Sequence, residues 1–143
     1  MFIGEYQHNI DSKGRMAVPA KFRGRLGKGA IITRGLDRCL FIYTAAEWKT
    51  LAGEVMKYSI LKSDSRSFAR FIMSSATEID FDSQGRALIP ASLREYAGLK
   101  KETIIAGVFN RLEVWDAAAW KNFRAKAENN SDAIAEKLSD LGL

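Results

Sequence analysis

Two arginines stand out by the company they keep. Arg15 follows Asp11-Ser-Lys-Gly14 and Arg86 follows Asp82-Ser-Gln-Gly85, so each guanidinium comes directly after a glycine and four residues after an aspartate. Asp-x-x-Gly suits a tight hairpin turn, because the Asp carboxylate can accept hydrogen bonds from the backbone ahead of it and Gly tolerates a positive φ. A guanidinium projecting from the end of such a turn can meet guanine edges or phosphates with two parallel N–H donors. It can equally pair with the aspartate of its own turn, Arg15 with Asp11 and Arg86 with Asp82. The two roles are compatible, since a braced arginine still reaches outward. Lys13, at the tip of the first turn, is a candidate phosphate contact, and neutral Gln84 holds the same place in the second. Lys21, Arg23, Arg25 and Lys28 follow the first turn, and no acidic residue interrupts the stretch from Lys13 to Lys28. The candidate DNA-binding set is therefore Arg15, Lys13, Arg86, Lys21, Arg23 and Arg25, with Asp11, Gly14, Asp82 and Gly85 bracing the turns.

Charge along the chain points the same way. Residues 1–71 carry 13 Lys and Arg against 6 Asp and Glu, a net of +7, whereas residues 72–143 carry 9 against 11, a net of −2. Clustered positive charge attracts polyanions, of which nucleic acid is the commonest for an intracellular protein. Around the second turn the sequence offers Gln84, Ser92, Arg94 and Glu95. This asymmetry predicts that the first turn supplies most of the phosphate contacts, while the second stabilises the fold or faces a neighbouring subunit.

Other chemistries are poorly served. One His and one Cys cannot make a four-ligand zinc site within the chain, and His8 with Cys39 lacks any nucleophile signature. Neither a dinucleotide-binding Gly-x-Gly-x-x-Gly nor a phosphate-binding Walker loop is present. Asp11 and Asp82 have an ordinary structural role at the start of their turns. The reading is no catalytic residue, no metal, no cofactor and no small-molecule substrate. No apolar run reaches the length of a membrane span, and the N-terminus has no secretory pattern, so a soluble cytoplasmic protein is expected.

The turns belong to a repeat. Residues 11–20 and 82–91 agree at six of ten positions, and Val18 corresponds to Ile89. Downstream, Ile31-Ile32 corresponds to Ile104-Ile105, Asp37-Arg38 to Asn110-Arg111, Leu40–Tyr43 to Leu112–Trp115, and Ala45–Trp48 to Ala117–Trp120, with an offset of 71 to 73 residues. Such self-similarity marks a duplicated structural unit. Each unit predicts a strand (Thr77–Phe81 in the second), the turn, a short extended run stopped by Pro19 or Pro90, a short helix, two further strands near 30–34 and 40–43 or 103–108 and 112–115, and a closing helix. Pro90–Tyr96 is the short helix of the second unit, closed by Gly98. Thr44 with Glu47 forms a capping box at one closing helix, and Asp116 caps the other. Trp48 and Trp120 are expected to anchor these helices on the strands. Residues 63–73 predict a connecting helix, and Ser131–Leu141 a terminal helix with Ile134, Leu138 and Leu141 on one face. The boundaries follow as 1–62 for the first unit (core about 5–47), 63–76 for a helical linker, and 77–143 for the second unit (core about 77–119).

Asp-x-x-Gly-Arg-x-x-[Val/Ile]-Pro-Ala, present twice at this spacing, together with the opening Met1-Phe-Ile-Gly-Glu-Tyr6, resembles the MraZ family across essentially the whole chain. The resemblance implies a mainly β fold with flanking helices (α+β), in which two tandem SpoVT/AbrB-like swapped-hairpin units form a pseudo-twofold β-barrel. It places the family's signature Asp and Arg on Asp11 and Arg15, and on Asp82 and Arg86. It further implies a homo-oligomeric ring that binds double-stranded DNA at tandem promoter repeats upstream of the division and cell-wall gene cluster. A nucleoid-associated repressor of its own operon is the expected role. The departure from two equal repeats is Gln84 opposite Lys13, with the acidic second half. The competing readings are a ring-forming scaffold for other proteins, whose basic face is incidental, and an RNA-binding protein, for which the aromatic motif of the common RNA-recognition sheet is missing.

Overall fold

The computed structural model describes residues 1–142. In the first unit, strands β1 (Phe2–Asn9) and β2 (Arg15–Ala17) precede helix α1 (Ala20–Leu26), strands β3 (Ile31–Arg34) and β4 (Leu40–Tyr43), and helix α2 (Ala45–Met56). Helix α3 (Ser63–Ser74) connects to the second unit: β5 (Thr77–Glu78), β6 (Arg86–Leu88), α4 (Ala91–Tyr96), β7 (Glu102–Phe109), β8 (Leu112–Asp116) and α5 (Ala117–Asn129). A terminal helix, α6 (Ser131–Asp140), follows directly.

The units are built into one another by strand exchange. β1 pairs antiparallel with β7 of the other unit, from Phe2 opposite Phe109 to Asn9 opposite Glu102. β5 pairs with β3, and β2 with β6. The two hairpins β3–β4 and β7–β8 meet through β4 and β8, with Leu40 opposite Val114. The result is a six-stranded antiparallel sheet in the order β1-β7-β8-β4-β3-β5, with β1 and β5 at its edges, and a separate two-stranded ribbon, β2-β6. Substituting each strand by its repeat equivalent turns the six-strand order into its own reverse. The fold is α+β, as the sequence predicts.

One core serves both units, which is why neither hairpin needs to bury its apolar face alone. Met16, Val18, Phe22, Ile32, Leu40 and Ile42 of the first unit join Ala87, Ile89, Leu93, Ile105, Leu112 and Val114 of the second. Period-two alternation sets the ribbon: Met16 and Ala87 are fully buried, so their neighbours Arg15, Ala17, Arg86 and Leu88 face outward. Burying side chains of this size stabilises each by about 1.5–3 kcal/mol, so the inward positions dictate which face the arginines take.

The elements depart from expectation in two places. The strand predicted over Thr77–Phe81 is paired only at Thr77–Glu78, with Phe81 reappearing as an isolated bridge to Ala87. Its partner β3 has four residues, against the eight that β7 offers β1, and Ile79 turns into the core. Pro19 and Pro90 stand as N-caps in extended conformation, just before their helices rather than in the first turn. Ile134 and Leu138 of α6 remain close to half exposed and Leu141 is 75% exposed, so their shared face is incompletely covered among the described residues. Both N-cap side chains accept as read, the Glu47 N–H donating to Thr44 Oγ1 at 3.1 Å and the Ala119 N–H to Asp116 Oδ2 at 3.1 Å, but among the described residues the Glu47 carboxylate does not return the second bond of a capping box. Trp48 leans on Tyr43 (ring centroids 6.2 Å apart) and Trp120 on Trp115 (5.4 Å), which anchors both closing helices to the sheet. No helix of the described residues is long and apolar enough to cross a membrane.

Candidate nucleic-acid interface

Each turn is a small closed hydrogen-bond system. In the first, the Lys13 and Arg15 N–H groups donate to Asp11 Oδ1 at 2.9 and 3.0 Å, and Arg15 Nε donates to Asp11 Oδ2 at 2.7 Å. In the second, the Gln84 and Arg86 N–H groups donate to Asp82 Oδ1, both at 2.9 Å, and Arg86 Nε donates to Asp82 Oδ2 at 2.9 Å. A backbone bond from the glycine N–H to the aspartate carbonyl closes each loop at 3.0 Å, with φ of +83° at Gly14 and +75° at Gly85. Non-glycine residues rarely adopt that conformation, so Gly is required at both places. Hydrogen bonding to the ionised form stabilises it. The Arg15 N–H above all, with the Arg15 side chain and the Lys13 N–H, holds the Asp11 carboxyl down at about 2 against the opposing effect of burial. The Arg86 N–H foremost, with the Gln84 N–H and the Arg86 side chain, likewise holds Asp82 below the usual carboxylate range.

These bonds fix the arginines without using them up. Nε faces the aspartate, and the terminal nitrogens remain for a second acceptor. Both side chains stay about a third exposed or slightly less, 33% for Arg15 and 28% for Arg86. The ribbon brings them together: Arg15 lies opposite Leu88 and Arg86 opposite Ala17, on the same outward face. Arg86 Nη1 comes within 3.7 Å of Asp11 Oδ2, so the two turns share one cluster of two carboxylates and two guanidiniums. The pair is thus presented from a rigid strand ribbon and held by ionised partners.

A family model described as "MraZ protein, putative antitoxin-like" matches the chain twice, over residues 1–71 and 72–141. The chain belongs to the MraZ family. Similar family members include proteins named "Transcriptional regulator MraZ" from Ligilactobacillus salivarius (50% identical), Halothermothrix orenii (48%) and Natranaerobius thermophilus (46%), each aligned over 143 residues and the full length of both chains. The duplicated match coincides with the duplicated turn.

The remaining basic candidates of this MraZ-family chain are distributed differently from their order in the sequence. Lys13 is exposed at the first turn tip. Lys21 places its ammonium 4.5 Å from the Tyr6 ring centroid, and Arg25 donates to the Met1 carbonyl. Arg23 donates to the Val18 carbonyl at 2.6 Å and lies against Gly85, in the second turn. Its repeat equivalent Arg94 lies against Gly14, in the first. The strand exchange therefore crosses the short helices over, and the basic run after the first turn does not surround that turn. Arg94, Lys100 and Lys101 line a cleft beside Asp11 and Ser12, and sequence proximity assigned Arg94 to the wrong turn. The repeat interval marks the two as equivalents, since 71 residues separate Arg23 from Arg94 as they separate Asp11 from Asp82, but no signal in the sequence gives the crossing.

His8 and Cys39 are placed unlike a reactive pair. His8 sits half-buried on β1 and burial lowers its pKa. Cys39 is buried, donates to the Leu36 carbonyl at 3.2 Å, and burial above all pushes its thiol pKa up, away from the nucleophilic thiolate. Among the described residues no group of three His, Cys, Asp or Glu side chains could hold a metal ion.

Proposed function

We propose that this chain is a sequence-specific transcriptional regulator that binds double-stranded DNA through its paired Asp-x-x-Gly-Arg turns. The single observation that carries the proposal is the common outward face of Arg15 and Arg86, each locked by its own ionised aspartate on one two-stranded ribbon. A β-ribbon fits the major groove, and preorganised guanidiniums are suited to bidentate contact with guanine O6 and N7. The name carried by the full-length relatives supports regulation of transcription. Within this reading the units 1–62 and 77–143, joined by the helical linker 63–76, are AbrB-like swapped hairpins related by a pseudo-twofold axis in a barrel-like body. The palindromic strand order is what favours that relation.

The chain acts as a homo-oligomer, a ring that lines up its turns along tandem promoter repeats, so that several weak contacts add through effective concentration. The incompletely covered face of α6, with Ile134, Leu138 and Leu141, supports assembly, because an isolated helix of ten residues is marginal in water. Its role is repression of its own operon in the division and cell-wall gene cluster, in the cytoplasm and at the nucleoid, without cofactor or small-molecule substrate. A salt-titrated binding assay on the chain's own upstream duplex, a scrambled duplex and a single-stranded RNA tests the proposal. Preference for the upstream duplex that survives rising salt supports it; equal affinity for all three, or preference for RNA, overturns it.

A further inference from the structure

The crossing of the units also exchanges their cations. Arg23 and Arg94 are repeat equivalents, yet each covers the turn glycine of the opposite unit. A Cβ at Gly14 would lie 2.7 Å from the Arg94 guanidinium carbon, so the arginine is seated directly on the first turn. The two copies then differ. Arg23 has an acceptor within the chain, the Val18 carbonyl. Among the described residues Arg94 Nε is buried with no hydrogen-bond partner, and no carboxylate forms an ion pair with this guanidinium. An undischarged cation in such a setting is a ready site for an external anion.

Beside it opens a cleft of about 880 Å³ between the first turn and α4, walled by Asp11, Ser12, Arg94, Glu95, Lys100 and Lys101. Asp11 is already engaged by Arg15, which leaves three cations against Glu95. The Ile10 N–H donates to the Lys101 carbonyl at 2.8 Å, which ties the lysine pair to the strand end that leads into the first turn. Both lysine side chains are exposed. Lys13 follows Ser12 at the exposed turn tip, so the acidic second unit adds three cations beside the turn of its basic neighbour.

We infer that this cleft is a phosphate grip for the DNA backbone beside the first turn, formed in trans by Arg94, Lys100 and Lys101 of the second unit. The inference rests on the DNA-binding reading above and extends it to residues outside the signature turns. It replaces the expectation that Lys21, Arg23 and Arg25 supply the phosphate contacts of the first turn.

The test is a salt titration of the full-length chain on its own upstream duplex, comparing wild type, Lys100→Ala/Lys101→Ala and, as a charge-matched control on α5, Lys121→Ala/Lys126→Ala. Each lost phosphate contact lowers the slope of log K against log salt by about 0.9, so the cleft variant is expected to be shallower by roughly 1.8 for each protomer engaged on the DNA. The control should keep the wild-type slope. Ethylation interference should show the cleft variant losing the same phosphates as Lys13→Ala. A cleft variant with the control's slope, on DNA that wild type binds, overturns this inference alone. A wild type that fails to bind duplex overturns the underlying reading and this inference with it. A thermal-shift arm with inorganic phosphate separates the sources of the ligand. Stabilisation of wild type but not of the cleft variant by free phosphate, with DNA slopes unchanged, assigns the cleft to a small anion and overturns the grip.

Discussion

Alanine at the two turn glycines separates the effect of backbone conformation from the effect of the exchanged arginines. At either position alanine must adopt a φ near +80°, +83° at residue 14 and +75° at residue 85. That costs about 1–2 kcal/mol for a residue with a Cβ. At Gly85 the new methyl would also overlap the Arg23 guanidinium, which can move aside only by giving up its bond to the Val18 carbonyl. Losing a hydrogen bond from a charged donor adds about 1.5–3 kcal/mol. At Gly14 the methyl would displace Arg94, whose Nε has no acceptor to lose. Gly85→Ala is therefore expected to destabilise by about 2.5–5 kcal/mol, and Gly14→Ala by about 1–2. Equilibrium urea unfolding at fixed protein concentration measures both, since assembly would make a midpoint depend on concentration. The double variant Arg23→Ala/Gly85→Ala closes the cycle, and adding Gly85→Ala to Arg23→Ala should cost only the conformational part. Gly14→Ala as damaging as Gly85→Ala, or a cost at Gly85 that persists undiminished without Arg23, would refute the reasoning and with it the crossed seating of the arginines.

Three further outcomes are expected. Arg15→Ala should weaken operator binding more than Arg86→Ala, by about 1–3 kcal/mol for the first, because the free cations Lys13, Lys100 and Lys101 gather at the first turn while Arg23 at the second is engaged; parallel titrations of both variants on one operator check this, and equal losses would contradict it. Asp11 is held near 2 in the folded state, below its ordinary value of 3.8, so its contribution is complete above the ordinary value and is lost as pH falls toward 2; melting temperatures across that interval should fall less steeply for Asp11→Asn than for wild type. His8→Ala and Cys39→Ser should leave DNA binding and assembly nearly intact, and the Cys39 thiol should react with a disulfide reagent only after denaturation, a result that filter binding and absorbance readings can test.

The turns were legible in the sequence because their chemistry is local. Asp-x-x-Gly-Arg carries its own hydrogen-bond acceptors, its own positive-φ residue and its own guanidinium, and the structure places all three within one loop. Thr44 and Asp116 were legible for the same reason. The pairing of strands was a different matter. Nothing in Phe2–Asn9 specifies that its partner lies at Glu102–Phe109 rather than in its own unit, since the two units offer nearly equivalent hairpins. Long-range choice between them depends on how one core is shared by Met16, Ala87, Ile89 and Leu93, which no local pattern encodes. The misassignment of Arg23 and Arg94 follows directly: their neighbours along the chain are not their neighbours across the ribbon. Resemblance to the family supplied the idea of a swapped hairpin, but only the register of β2 on β6 shows that the two arginines share a face with Arg86 within 3.7 Å of Asp11.

The central claim is that the paired arginine face is what meets DNA. Its most direct measurement is the affinity of the folded Arg15→Ala/Arg86→Ala variant for the chain's own upstream duplex, beside wild type at one salt concentration, with a scrambled duplex as reference. Two bidentate contacts at about 1–3 kcal/mol each predict at least a tenfold loss on the upstream duplex and near-equal affinity for the scrambled one. An affinity within about twofold of wild type, a difference of roughly 0.4 kcal/mol, with the preference for the upstream sequence retained, would contradict the account.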